Sequence, residues 1–114
     1  MAQLCNANAY TSTNINTTAT GLTLQSAGGN ILMASNLSGT GGSIDLDRIS
    51  VLSNGGNITL GGGAADGSSY AKGLSYTSAA YTPQSGMGID IRGNSSSSSS
   101  TTINAGGGNI LING

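Results

Sequence analysis

Histidine, glutamate, phenylalanine and tryptophan are absent from this 114-residue chain, and cysteine and proline occur once each, as Cys5 and Pro83. Without histidine there is no Ser-His-Asp triad and no Cys/His zinc site. A single cysteine excludes an internal disulfide framework, so Cys5 reads as a free thiol, an intermolecular bridge or a lipid attachment point. Charged residues make up 6% of the chain, against about 25% in an average soluble protein. The cations are Arg48, Lys72 and Arg92, too few for a basic stripe, and no nucleic-acid partner is expected. No apolar run approaches the roughly 20 residues of a membrane-spanning helix, and no membrane insertion is expected. The start, Met1-Ala2-Gln3-Leu4-Cys5, has neither a positive n-region nor an apolar h-region, so a secretion signal is expected outside this sequence or the chain is an internal fragment.

What the chain does have is a recurring phrase. Two glycines, a small polar residue, an apolar residue, any residue and a second apolar residue appear as Gly28-Gly29-Asn30-Ile31-Leu32-Met33 and Gly41-Gly42-Ser43-Ile44-Asp45-Leu46. They return as Gly55-Gly56-Asn57-Ile58-Thr59-Leu60 and Gly107-Gly108-Asn109-Ile110-Leu111-Ile112. A looser copy is Gly86-Met87-Gly88-Ile89-Asp90-Ile91. Gly and Asn tolerate positive φ, and the alternation places two apolar side chains on one face of a strand. A repeated strand-turn unit is the mark of a solenoid. Ile31, Met33, Ile44, Leu46, Ile58, Leu60, Ile89, Ile91, Ile110 and Ile112 are therefore the expected core, with Asp45 and Thr59 facing outward. The fold class predicted is all-β, a parallel β-solenoid of about five short coils of about 20 residues, roughly 25 Å tall at the strand spacing.

The rhythm divides the chain. Residues 1–20, rich in Asn, Thr and Ala, read as an irregular lead-in or an edge strand. Residues 21–114 carry the solenoid repeats, with surface excursions expected at 64–86 and 94–102. The second excursion is a Ser/Thr run with nothing apolar to pack.

Candidate chemistry is sparse. The carboxylates are Asp45, Asp47, Asp66 and Asp90. Asp45 and Asp47 share a strand face, as the acid and base of a β-helical glycan-cleaving enzyme would, but two outward aspartates on a strand are ordinarily solvated. No catalytic residue is assigned. Gly61-Gly62-Gly63-Ala64-Ala65-Asp66 approaches a calcium-binding nonapeptide yet occurs once and has Ala64 where that motif wants glycine. No metal site and no cofactor are expected. Tyr70, Tyr76 and Tyr81 in the first excursion are candidates for ligand contact with glycans, or else pack on the solenoid wall. Among four sequons, at Asn16, Asn36, Asn57 and Asn94, the candidate for glycosylation is Asn94.

The run Gly55 to Gly63, with Tyr70-Ala71-Lys72-Gly73, Gly88-Ile89-Asp90-Ile91 and Ala105 to Ile112, resembles the repeats of filamentous-haemagglutinin-like adhesins secreted by the two-partner route. The resemblance covers roughly residues 21–114. It implies a right-handed parallel β-helix, a location outside the cell or on its surface, and no catalytic residues. The expected function is that of an extracellular structural or adhesive solenoid. Its partners would be copies of itself or the rest of a longer solenoid, end to end, and glycans or a host or neighbouring-cell surface. The rival expectations are an ice-binding solenoid with a Thr/Ser/Asn face and a glycan-cleaving β-helix.

Overall fold

The computed structural model describes residues 2–4, 8–11, 15–16, 21–35, 43–62, 71, 88–93 and 99–114. Those residues form strands and turns and no helix. In chain order the strands are β1 (Ala2–Leu4), β2 (Asn8–Thr11), β3 (Ile15–Asn16), β4 (Thr23–Ser26), β5 (Ile31–Ser35) and β6 (Ile44–Asp47). They continue as β7 (Ser50–Leu52), β8 (Ile58–Gly62), β9 (Ile89–Arg92), β10 (Thr102–Asn104) and β11 (Ile110–Ile112). Every pairing among them is parallel, and every pairing joins two strands three places apart along the chain. Three sheets result, in the orders β1-β4-β7-β10, β2-β5-β8-β11 and β3-β6-β9. The expected lead-in, residues 1–20, supplies one edge strand to each sheet.

Register puts like on like. Ile31 pairs with Ile58 and Ile58 with Ile110, while Met33 pairs with Leu60 and Leu60 with Ile112. Leu24 pairs with Val51 and Val51 with Ile103 in the first sheet. Ile44 pairs with Ile89 in the third. Of the expected core, Ile31, Met33, Ile44, Leu46, Ile58 and Leu60 are buried and Ile89 is half-buried. Leu24, Ile49 and Val51 join them. Ile91, Ile110 and Ile112 correct the expectation, because they are 42%, 46% and 48% exposed. They keep the inward phase of their strands. They lie on β9 and β11, which are sheet edges among the described residues, so none of the described strands covers them from above.

The corner between the first and second sheets explains the repeated phrase. Ser26, Ser53 and Ala105 occupy equivalent positions one coil step apart, followed in each case by one residue, a pair of glycines and an asparagine. The first glycine of each pair is left-handed, with φ of 89° at Gly28, 115° at Gly55 and 119° at Gly107. Those angles strain any residue with a Cβ. The second glycine answers a different demand. A Cβ on Gly56 would overlap the carbonyl of Gly29 and lie 2.8 Å from Asn30 N, and one on Gly108 would overlap the carbonyl of Gly56. One glycine is chosen for conformation and the other for close stacking.

The asparagines then form a ladder. Asn57 N–H donates to Asn30 Oδ1 at 2.8 Å, and Asn109 N–H donates to Asn57 Oδ1 at 2.9 Å. Beneath them, the buried Ser26 hydroxyl donates to Gly29 O at 2.5 Å and to Ser53 O at 2.9 Å. Ser53 in turn donates to Gly56 O and to Ala105 O. Side-chain donors thus satisfy the carbonyls of a turn that cannot join a sheet.

Two residues in the expected surface excursions are placed otherwise. Ala71 is buried and its N–H donates to Asn113 O at 2.8 Å. Thr102 opens β10, paired with Ser50, while Thr101 Oγ1 donates to Leu46 O and to Arg92 O. The second excursion therefore returns to the sheet before its expected end. Ser99 and Ser100 are exposed, as a surface segment requires, and the other residues of both excursions lie outside the described residues.

Gly56→Ala tests the stacking demand, since it adds one methyl group against backbone that must move. It should lower stability by about 1–3 kcal/mol in urea unfolding. Ser53→Ala should cost about 1 kcal/mol, because the neighbouring step already carries Ala105 at that position. A Gly56→Ala variant as stable as the parent would contradict the close approach.

Candidate functional site

Two surfaces carry side chains that the fold itself does not exhaust: an ionic cluster on the third sheet and an apolar end. The cluster starts from register. Asp45 on β6 is the direct partner of Asp90 on β9, and Asp47 is the partner of Arg92. Like charges directly opposite on paired strands are destabilising, so two stacked aspartates need a cation. Arg92 provides it. Its Nη2 donates to Asp45 Oδ1 at 2.8 Å and Oδ2 at 2.7 Å, and its Nε to Asp45 Oδ1 at 3.3 Å. Its Nε also lies 3.0 Å from Asp90 Oδ2. That oxygen is buried and accepts no aligned hydrogen bond, because the N–H vector points to Asp45. The contact with Asp90 is therefore coulombic only.

Asp45 was expected to face outward in solvent, and the structure corrects this. Its side chain is 1% exposed, while that of the Arg92 above it is 36% exposed. The guanidinium caps the carboxylate, its planar fork matching both oxygens. At the end of the same strand Arg48 takes positive φ, 54°. It turns its guanidinium onto Asp47, with Nε–Oδ1 at 2.9 Å and Nη2–Oδ2 at 3.0 Å. The hydrogen bond from Arg48 is the main reason that the Asp47 carboxyl lies below its ordinary range, and both guanidiniums add coulombic attraction. Arg92 is held above its ordinary value chiefly by its bond to Asp45.

Chemically, this arrangement ties strands together. The carboxylates of Asp45 and Asp47, the pair considered as an acid and base, are each engaged by a guanidinium. Among the described residues no group of three His, Cys, Asp or Glu is placed to hold a metal ion. A signal for the cluster exists in the sequence. Asp45 and Asp90 fill the middle of the same apolar-x-apolar phrase, and an arginine follows Asp90 by two residues.

The apolar end is built from β9 and β11. Gly88, Ile89, Ile91, Ile112 and Gly114 line a concavity of about 480 Å³. Gly88 is fixed there by crowding, since a Cβ on it would overlap the carbonyl of Ala71. Ile110 and Leu111 extend the apolar surface along β11. Alternation in the sequence identifies Ile89, Ile91, Ile110 and Ile112 as inward-pointing and Leu111 as facing the other way. It does not say which coil is left uncovered.

Tyr70, Tyr76 and Tyr81, the candidates for ligand contact, and Asn94, the candidate for glycosylation, lie outside the described residues. Comparison of the chain with family models, curated proteins and solved structures finds no match.

The two halves of the ionic cluster should respond differently to substitution. Arg92→Met strands a buried carboxylate and should lower stability by about 2 kcal/mol, the exposure of Arg92 holding the cost below that of a fully buried pair. Asp47→Asn should show itself through pH. The folded Asp47 has the lowered pKa, so its stabilisation is present above the unfolded carboxylate value and is lost as pH falls through the folded one. The Tm difference between wild type and Asp47→Asn should therefore shrink on acidification below about pH 4. A difference that does not change between neutral and strongly acid pH would contradict the Asp47–Arg48 bond.

Proposed function

We propose that the chain is a right-handed parallel β-helix that acts as an extracellular structural and adhesive element, presenting its surface segments to glycans or to a host or neighbouring cell. The observation that carries the architecture is the pairing rule: every pairing is parallel and joins strands three places apart, in all three sheets. A chain winding through three faces per coil produces that rule. On this reading β1–β3, β4–β6 and β7–β9 are three coils, and β10 and β11 are most of a fourth. The spacing of the phrase had suggested about five. The difference lies in coil length. Ser26 and Ser53 are stacked 27 residues apart, and Ser53 and Ala105 are 52 apart, where the long segment between β8 and β9 is accommodated. Handedness rests on the resemblance to the haemagglutinin-like repeats.

A stiff stack of coils suits presentation, because loops can leave a coil without breaking the sheets. The engaged carboxylates of Asp45 and Asp47 weigh against the glycan-cleaving alternative. One observation favours the ice-binding reading in part. Thr23, Ser50 and Thr102 form a rank of hydroxyl residues across the first sheet. The neighbouring rank is Gln25, Leu52 and Asn104, in which Leu52 interrupts the polar face.

Beads coated with the chain should be retained on a glycan array or on cells. Replacing residues 64–70 with a Gly/Ser linker should reduce retention while leaving the circular dichroism unchanged. Freezing-point measurements on the same protein should show no thermal hysteresis. Measurable hysteresis without glycan or cell retention would replace the adhesive reading with the ice-binding one.

A further inference from the structure

We propose that Asn54 is a modification site. Its side-chain amide is converted, without an enzyme, to aspartate and isoaspartate when the corner between the first and second sheets opens, and the isoaspartyl product prevents the corner from closing again. The inference rests on the stacked register and does not depend on the adhesive reading.

The sequence supplies the chemistry. Asn54 is followed by Gly55, the neighbour that least obstructs attack of a main-chain nitrogen on the preceding side-chain amide, because it has no Cβ. The Gly55 nitrogen gives its proton to solvent and bonds to Asn54 Cγ, and Nδ2 leaves as ammonia. The five-membered imide then takes up one water. Opening at Cγ gives aspartate. Opening at the main-chain carbonyl gives isoaspartate, whose backbone runs through Cβ and Cγ and is one atom longer. Asn54 and Gly55 are both exposed, so water reaches them.

Geometry holds the reaction back. Asn54 Nδ2 donates to Ser26 O at 2.5 Å, in the coil on one side. Gly55 N–H donates to Ala105 O at 2.6 Å, in the coil on the other side. Electrophile and nucleophile are tied to opposite neighbours. The main chain at Asn54 is also held left-handed, with φ of 55°. Reaction requires Gly55 N–H to leave the Ala105 carbonyl, which means that two stacked coils separate locally. An opening that costs about 1.4 kcal/mol slows the conversion about tenfold.

The same corner decides the fate of the product. Gly56 lies so close to Gly29 that a Cβ would overlap its carbonyl, and Gly108 lies equally close to the carbonyl of Gly56. A main chain one atom longer has no room between those neighbours. Aspartate at position 54 keeps the chain length and loses only the bond to Ser26 O, where an acceptor then meets an acceptor. Isoaspartate breaks the register, so the corner acts as a one-way latch that records each long opening.

Peptide mapping by mass spectrometry tests this. Tryptic cleavage after Arg48 and Lys72 separates Asn54 from the chain's other Asn-Gly pair, Asn113-Gly114. The chain is aged at mildly alkaline pH in buffer and in denaturing guanidinium chloride. Conversion at Asn54 should be at least about tenfold slower in buffer. Gly108→Ala presses a methyl group on the Gly56 carbonyl, and should speed conversion in buffer while the circular dichroism spectrum is kept. If that variant does not fold, wild type in sub-denaturing guanidinium chloride decides, because conversion should rise in proportion to hydrogen exchange at the Gly55 amide. Equal rates in buffer and denaturant, a folded Gly108→Ala variant with the wild-type rate, or conversion that does not follow Gly55 exchange would overturn the gating. Absence of conversion in denaturant would overturn the site itself. After the denaturant is removed, chains with asparagine or aspartate at position 54 should regain protease resistance and isoaspartyl chains should not. Recovery of the isoaspartyl chains would overturn the latch.

Discussion

The structure depends on how closely one turn can lie on the next. At the corner between the first two sheets, Gly56 lies against the carbonyl of Gly29 and Gly108 against that of Gly56, where a Cβ would overlap it. Only a residue without a side chain permits that approach, and only that approach lets the strands on either side pair in register. Ile58 N–H then reaches Asn109 O at 2.8 Å, and Ile31 N–H reaches Asn57 O at 2.8 Å. The first glycine turns the chain, the second admits the next coil, and the asparagine locks the two together. Conformation and packing are solved by adjacent residues, which explains why the phrase recurs as a unit.

Once the coils are locked at that corner, the rest of the sequence is constrained. Whatever stands at one position is brought against its equivalent above and below. Apolar equivalents gain from this, as in the Ile31, Ile58 and Ile110 rank, and give a narrow core without large aromatics. Charged equivalents lose from it. A stack of like charges has no room to separate, which accounts physically for a chain with 6% charged residues. The third sheet is the exception, and it needed Arg92 laid over Asp45 to permit it.

Much of this was legible in the sequence because a strand alternates with period two. The phase of Ile31, Met33, Ile44, Leu46, Ile58 and Leu60 followed from spacing alone. So did the all-β class, from glycine turns and missing helix formers. Coil length was not legible, since the phrase marks two different corners. Gly28-Gly29 and Gly55-Gly56 belong to one corner, while Ser43 and Gly88 precede strands of the third sheet. Counting them as one series shortened the coil. The burial of Asp45 was also missed, because an aspartate between two apolar residues reads as outward until its partner across the sheet is known. The exposure of Ile91, Ile110 and Ile112 depends on what lies above them, which no pattern within their own strands can report.

The central claim is that Ile58 lies between Ile31 and Ile110 in one parallel rank. Methyl nuclear Overhauser contacts measure this directly in isotope-labelled protein. The account predicts that the Ile58 δ-methyl shows contacts to the methyls of both Ile31 and Ile110, while Ile31 and Ile110 show none to each other. Contact between Ile31 and Ile110, or contacts of Ile58 with neither, would contradict the stacked register on which the fold and the ionic cluster are built.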